Sequence, residues 1–542
     1  MKRLAFVILL LTALAVGIFP PSHRPGAQAS PDVMISVNST ADTNSRDSVL
    51  TLREAMLLAT GGLSITSLTL WECSRVSNTQ WFLECDITVP LGAETILFDP
   101  TVFPPANATI SLGSALPTLG TGNDTIDGTS AGVIVDGVSK TFDCFDITSA
   151  NNAINGLEIY NCRRGVAIHE GAQSNTVGGG SPGDGNVISG NWAGVDIWDS
   201  DSNGNVVKGN YIGTDATGTA AFADQAYGVH IKAFAAQNSV GGSSPGERNI
   251  ISGNNSAGVA MFGGGTNGNT VKGNFIGTDA AGTGALPNAI GVQIAQNPSG
   301  GPQNNSIGGT ATGEGNVIAY NTFYGVSVYG TDATGNSIRG NSIHSNHSNG
   351  GKGIENDGGG NTELAPPVVT GFGSVTGTAC PNCTVDIYSD DEEEGRVYEG
   401  STTASGGGNW SFAGSPEGPN VTATATDSSG NTSEFSPPVA VPEPLDSDSD
   451  GFTDAVEAYL GTDPLGACPD NPIDDAWPLD TNMDTAITVP GDVLNFRGRI
   501  GETGGPPAGA NWWVRLDFNM DNVITVPGDV LMYRGMIGQS CT

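Results

Sequence analysis

KGNYIGTDATGTA runs from Lys208 to Ala220, and KGNFIGTDAAGTG runs from Lys272 to Gly284. The same phrase is written twice, 64 residues apart (272 − 208). A shorter phrase recurs around it. GVAI starts at Gly165, GVDI at Gly194, GVHI at Gly228, GVAM at Gly258, GVQI at Gly291 and GVSV at Gly325, with GI at Gly353 as a further copy. Between them lie NVISGN (Asn186), NVVKGN (Asn205), NIISGN (Asn249), NTVKGN (Asn269), NVIAYN (Asn316) and NSIRGN (Asn336). Each reads as a short alternating strand closed by a turn residue.

Three short strands per repeat, no helical period, and Gly or Asn at each corner predict a mainly β chain. Its core is a right-handed parallel β-helix in which every strand pairs with its copy one coil later. The 64-residue period is then two coils, and the loops at 213–227 and 241–248 project on alternate coils. Alternation turns Val195 and Ile197 inward and Asp196 outward. Val195, Val229, Val259, Val292 and Val326 should form one inward column, and Asn210, Asn274 and Asn341 a hydrogen-bonded corner ladder. Asp215 and Asp279, each after Gly-Thr, read as turn formers.

The start of the chain carries an address. Lys2 and Arg3 precede the apolar run Leu4–Phe19, and Ala27–Ala29 supplies small residues for cleavage. Residues 1–29 read as a secretory signal peptide, which leaves no transmembrane anchor after cleavage and a secreted, extracellular or cell-surface product. Cleavage removes three of the 20 basic residues and none of the 56 acids, so the mature balance is 17 − 56 = −39. Such a surface disfavours nucleic acid and anionic membranes and suits calcium. The eight cysteines fit export. Cys73 with Cys85, Cys144 with Cys162, and Cys380 with Cys383 are near neighbours, and Cys468 and Cys541 bracket the tail.

Upstream of the repeats, Leu52, Ala55, Met56 and Ala59 fall at helical spacing and predict a short amphipathic helix that caps the first coil. Residues 31–365 resemble the secreted bacterial β-helix proteins of pectin-lyase-like fold. Their N-terminal Cys-Ser-Leu-Arg-Glu-Ala signature is met here by Leu50-Thr51-Leu52-Arg53-Glu54-Ala55, without the cysteine. The resemblance implies the fold and leaves the activity open.

At Ala365 the composition changes. Residues 366–441 alternate as short strands and resemble a small Ig-like β-sandwich of the kind used as a spacer, with carbohydrate binding as the sharper alternative. Residues 442–470 contain Asp446, Asp448, Asp450, Asp454 and Glu457 at the ligand positions of an EF-hand loop, with Gly451 at the sharp turn and Phe452 offering its carbonyl. Residues 471–542 are a second duplication. Asp480, Asn482, Asp484 and Asp492 recur as Asp517, Asn519, Asp521 and Asp529, each set followed by an apolar helical segment. Paired half-EF-hand loops of this kind resemble the dockerin module, which implies calcium and a cohesin-like partner. The last acid comes one position late, because Pro-Gly widens each loop. A calcium-stabilised end cap closed by Cys468 and Cys541 is the equal alternative.

Two outward positions of the Gly-Val-x-Ile strand carry the site candidates. The first reads Ala167, Asp196, His230, Ala260, Gln293 and Ser327; the second reads His169, Trp198, Lys232, Phe262, Ala295 and Tyr329. Asp196, His230 and Lys232 are the candidate acid–base group, although solvated surface is the plainer reading. Trp198, Phe262 and Tyr329 are candidate sugar-stacking rings. The leading expectation is a β-helix that binds extracellular or cell-wall polysaccharide, with a calcium-dependent C-terminal attachment region. A polysaccharide lyase or glycoside hydrolase of the same fold is the second, and an adhesin or structural surface protein with no glycan ligand the third.

Overall fold

The computed structural model describes residues 33–440, apart from 78, 82–84, 88–91, 105–107, 223, 347–351, 372–374, 415 and 417. The signal-peptide reading and every calcium-loop residue named above lie outside the described residues.

Among the described residues, three parallel sheets of ten, nine and eight strands run along the molecule. The first begins at Val33–Val37 and ends at Ser337–Arg339, the second spans Ala108–Ser111 to Ser342–His344, and the third spans Phe145–Ile147 to Lys352–Asp357. Successive strands of each sheet come from successive coils, which is a parallel β-helix. The valine column forms as expected: Val195 pairs with Val229, then Val259, Val292 and Val326. All five are fully buried. The duplicated phrase supplies two further strands per coil, Val206–Lys208 with Tyr211–Ile212 and Thr270–Lys272 with Phe275–Ile276. The glycine in each copy turns the chain between them. Gly273 has φ +66°, and a Cβ there would collide with the carbonyl oxygen of Gly242.

The corners are held by more ladder than the sequence pattern predicted. Asn210, Asn274 and Asn341 stack, with Asn249 and Asn316 as the alternate rungs and Asn186 as the first. A second ladder runs from Asn152 through Asn175, Asn205, Asn238, Asn269 and Asn305 to Asn336. A third runs Asn191, Gln225, Asn254, Asn288, Asn321, Asn346. Each rung satisfies corner backbone groups that the turn removes from the sheet ladders.

Both ends of the coil stack are covered. At the N-terminal end, helix Leu52–Ala59 opens with a capping box between Thr51 and Glu54. Leu52, Ala55, Met56 and Ala59 are buried against the core. Arg53 grips Asp42 with two nitrogens and donates to the carbonyls of Ser114 and Ala115. At the other end, residues 368–440 form an antiparallel three-stranded and an antiparallel four-stranded sheet. Instead of standing off as a spacer, this segment packs on the last coil. Arg339 pairs with Asp386 through two hydrogen bonds of 2.7 Å, the Glu394 carboxyl accepts from the Asn346 amide nitrogen, and Phe435 packs against the core. Disulfides join Cys73–Cys85, Cys144–Cys162 and Cys380–Cys383. Among the described residues no helix is long and apolar enough to cross a membrane.

Candidate functional site

The outward face of the eight-stranded sheet carries a packed cluster of charges and rings. It is centred on the adjacent strands Ala193–Ile197 and Tyr227–Lys232. Their register sets Asp196 directly beside His230. The three acid–base candidates therefore do meet. The Lys232 amine donates to both Asp196 oxygens at 2.8 Å, and His230 Nδ1 lies 3.2 Å from Asp196 Oδ1 and 3.2 Å from the Lys232 nitrogen. The expectation of solvated surface fails for Asp196, which is fully buried although it points away from the helix core. Its cover is a second layer made by its neighbours.

Arg164, one coil before, completes the cover and was not among the sequence candidates. Its Nε donates to Asp196 and its Nη1 to Asp143 at 3.0 Å, while Arg163 also pairs with Asp143. Burial alone would raise the Asp196 carboxyl. The His230 hydrogen bond and charge, together with Lys232, reverse this and hold it at about 2. Burial pushes the His230 imidazole and the Lys232 amine below their ordinary values, and Asp196 opposes both shifts only in part.

The aromatic residues pack against these charges. The Trp198 ring stacks on His169 at 4.2 Å with an 8° interplanar angle, and the Arg164 guanidinium lies 4.3 Å from its centroid. Phe262 sets its edge against His230 and Tyr227, and Tyr227 stacks on His230 at 4.7 Å. Trp198 and Phe262 are thus half-buried members of the outer layer, Trp198 packed against His169 and Arg164 and Phe262 against Tyr227 and His230. Tyr329 lies on the same face, two coils beyond Phe262, and is 50% exposed.

Among the rings in contact with the cluster the most open to solvent is Trp192, at 40% exposure, another residue the sequence reading missed. It meets Tyr227 and His230 edge-on, and the Lys232 amine and Arg164 guanidinium lie 5.5 Å and 5.9 Å from its centroid. A sequence signal existed for Arg164 but not for Trp192. The glycine of each repeat lies inside its strand, and the residue just before it opens the strand, a position that brings Arg164 and Tyr227 into the cluster. That column reads Arg164, Ala193, Tyr227, Ala257, Ile290 and Tyr324. Trp192 precedes it by one position.

The duplicated loops carry no such cluster. Asp215 accepts from the backbone nitrogens of Thr219 and Ala220, and Asp279 from those of Ala281, Thr283 and Gly284. Both shape their own turns, as expected. The two copies also join, the Ala280 nitrogen donating to the Gly218 carbonyl at 2.9 Å. Among the described residues no group of His, Cys, Asp and Glu has the arrangement of a metal site.

No family model and no curated protein matches the chain. Among solved structures it is similar to an alginate lyase from Paenibacillus sp. str. FPU-7, at 14% identity and a TM-score of 0.25, covering 49% of this chain and 91% of that one. It is also similar to the Dettilon tailspike protein, at 14% identity and a TM-score of 0.23, covering 61% of this chain and 74% of that one. The parallel β-helix stands on the strand register described above.

Proposed function

We propose that this protein is exported and that the outward face around Trp192 binds a polysaccharide. The observation that carries the reading is an exposed tryptophan fixed beside two cations that are themselves immobilised. Arg164 and Lys232 are held by the buried Asp196, so a sugar stacking on Trp192 meets donors that need no reordering. Trp198, Phe262 and Tyr329 extend the same face along the coils. Their partial cover moves the centre of the platform from the expected stripe to Trp192. The test is binding of the mature chain to an immobilised panel of cellulose-, xylan-, polygalacturonate- and alginate-derived oligosaccharides. Trp192→Ala should weaken the strongest interaction by about 1–3 kcal/mol. Wild-type protein that binds none of the panel rejects the reading.

A second reading, a polysaccharide lyase, is favoured by one observation. The Lys232 amine is partly exposed and depressed below its ordinary value by burial, a shift in the direction a proton-abstracting base needs. Hydrolysis fits less well, because the carboxylates nearest this cluster, Asp143 and Asp196, are both tied to arginine. New unsaturated ends after incubation with the bound oligosaccharide would establish the lyase over simple binding.

For the C-terminal region the reading rests on sequence. Residues 366–441 are proposed as an Ig-like sandwich, and 442–470 and 471–542 as calcium-binding loops, the latter dockerin-like. They would attach the chain through a cohesin-like partner or seal its end. A surface adhesin without a glycan ligand is what remains if the oligosaccharide panel is negative.

A further inference from the structure

Within the cluster two buried side-chain atoms make no hydrogen bond: Asp143 Oδ1, which has the Arg163 ion pair, and His230 Nε2, which has no ionic partner. His230 is 4% exposed, and its Nε2 is buried with no hydrogen-bond partner. The charged groups facing it are engaged: Asp196 by Arg164 and Lys232, and Lys232 by Asp196. The remaining neighbours are the rings of Tyr227, Phe262 and Trp192. An orphaned buried nitrogen is costly, and stable folds rarely keep one without a use.

We propose that Nε2 of His230 is the hydrogen-bonding point of this face for a hydroxyl of the sugar seated against Trp192. The inference rests on the polysaccharide reading and goes beyond it by naming the atom and the ligand group. The chemistry selects a hydroxyl. If the Nδ1 proton points at Asp196, Nε2 is an acceptor; if Lys232 donates to Nδ1, Nε2 carries the proton and donates. A hydroxyl serves either tautomer, because it is both donor and acceptor. A carboxylate serves only one of them. Nε2 is also the distal nitrogen of an outward side chain, so it lies further from the coil backbone than the nitrogen that meets Asp196. Trp192, the most exposed ring touching His230, is the part of the cover a ligand would contact first.

The experiment uses the mature chain and the tightest-binding oligosaccharide of the panel. The full sequence has five histidines and the mature chain, without His23, has four, so isotope-labelled imidazoles give few signals, and the His230→Gln spectrum assigns the one of interest. Saturating oligosaccharide should shift the His230 Nε2 resonance, and His230→Ala should weaken binding about tenfold, the worth of one hydrogen bond. Gln should recover part of that loss, because its amide can also donate or accept. An unmoved Nε2 resonance, with Trp192→Ala still weakening binding, overturns the inference and leaves the polysaccharide reading intact. Binding that survives His230→Ala unchanged in a chain with wild-type near-ultraviolet dichroism does the same. Failure of every oligosaccharide to bind the wild type removes both.

Discussion

Lys232 and Asp196 face each other across adjacent coils, with the lysine nitrogen 2.8 Å from both carboxylate oxygens. The carboxylate has no exposed surface, and Arg164 and His230 share it. A buried charge with three cationic or potentially cationic neighbours is an organiser rather than a proton donor. Removing it leaves Arg164 and Lys232 facing each other without a counter-charge. Asp196→Asn is expected to destabilise the chain by about 3–5 kcal/mol, the range for breaking one side of a buried ion pair. Denaturant unfolding checks this, and a change below about 1 kcal/mol would show the cluster to be ornamental.

The same carboxylate predicts an acid limb. Its folded value of about 2 lies below the 3.8 of an ordinary aspartate. The contribution is therefore fully present above about pH 4 and lost as pH falls through 2. The difference of about 1.8 units corresponds to roughly 2–3 kcal/mol. Wild-type stability should fall more steeply than that of Asp196→Asn below pH 4, and the two should run parallel above it.

Two carboxyls at the ends of the coil stack act in the opposite direction. Glu394 accepts the backbone N–H of Asn346, whose side chain is the last rung of its ladder, and burial, aided by Asp390 and Glu392, pushes it up to about 8. Glu94, next to Asp124 at the start of another ladder, is raised by burial and by that neighbour to about 7. A carboxyl raised in the folded state favours folding while protonated. Its contribution is complete below about 4.5 and declines as pH rises through the folded value. Thermal stability should therefore drop between pH 5 and 8, and Glu394→Gln should flatten the upper part of that drop. Identical slopes for variant and wild type would mean that Glu394 is ionised at neutral pH.

The ladders make single asparagines expensive to lose. Asn274 accepts from Asn249 and donates to Asn316, Val240 and Lys272, all within 3.0 Å, and it has no exposed surface. Asn274→Ala leaves a buried carbonyl and a rung on each side unsatisfied. A loss of about 2–4 kcal/mol is expected, and Asn274→Asp should cost as much, because a carboxylate cannot donate to Asn316. Calorimetric melting of the variants measures it.

Much of this architecture is legible because the coil repeats. A period repeated six times fixes which of Val195, Asp196 and Ile197 face inward without any knowledge of the neighbours. The helix at Leu52–Ala59 announces itself by spacing and by the Thr51–Glu54 box. What stays hidden occurs once. Arg164 and Trp192 stand one and two positions before the repeat glycine, outside the Gly-Val-x-Ile window, and neither recurs in the other coils. The packing of Asp386 on Arg339 joins residues 47 apart through a single pair, with no pattern to betray it. Trp198 was legible as outward but not as covered, because its cover comes from His169 and Arg164 on the coil before.

The last prediction concerns calcium and rests on sequence. Residues 442–542 hold 17 acids and four arginines, a net charge of 4 − 17 = −13. Without cations those carboxylates repel one another, and the short apolar helices expected there offer little to oppose them. Eleven of the acids fall at ligand spacing in the three segments expected from sequence to be calcium loops. Calcium that binds the folded form adds stability by mass action, so chelation should lower the stability of this region and leave the β-helix transition in place. The loop from Asp446 to Glu457 has the full ligand set and should fill first. The widened loops ending at Asp492 and Asp529 should fill at higher concentration. In calorimetric titration of the mature chain, Glu457→Gln should remove the tightest event and leave the weaker ones. A titration with no heat, or a melting profile indifferent to chelator, would reject the calcium assignment while leaving the ladders and the Trp192 face untouched.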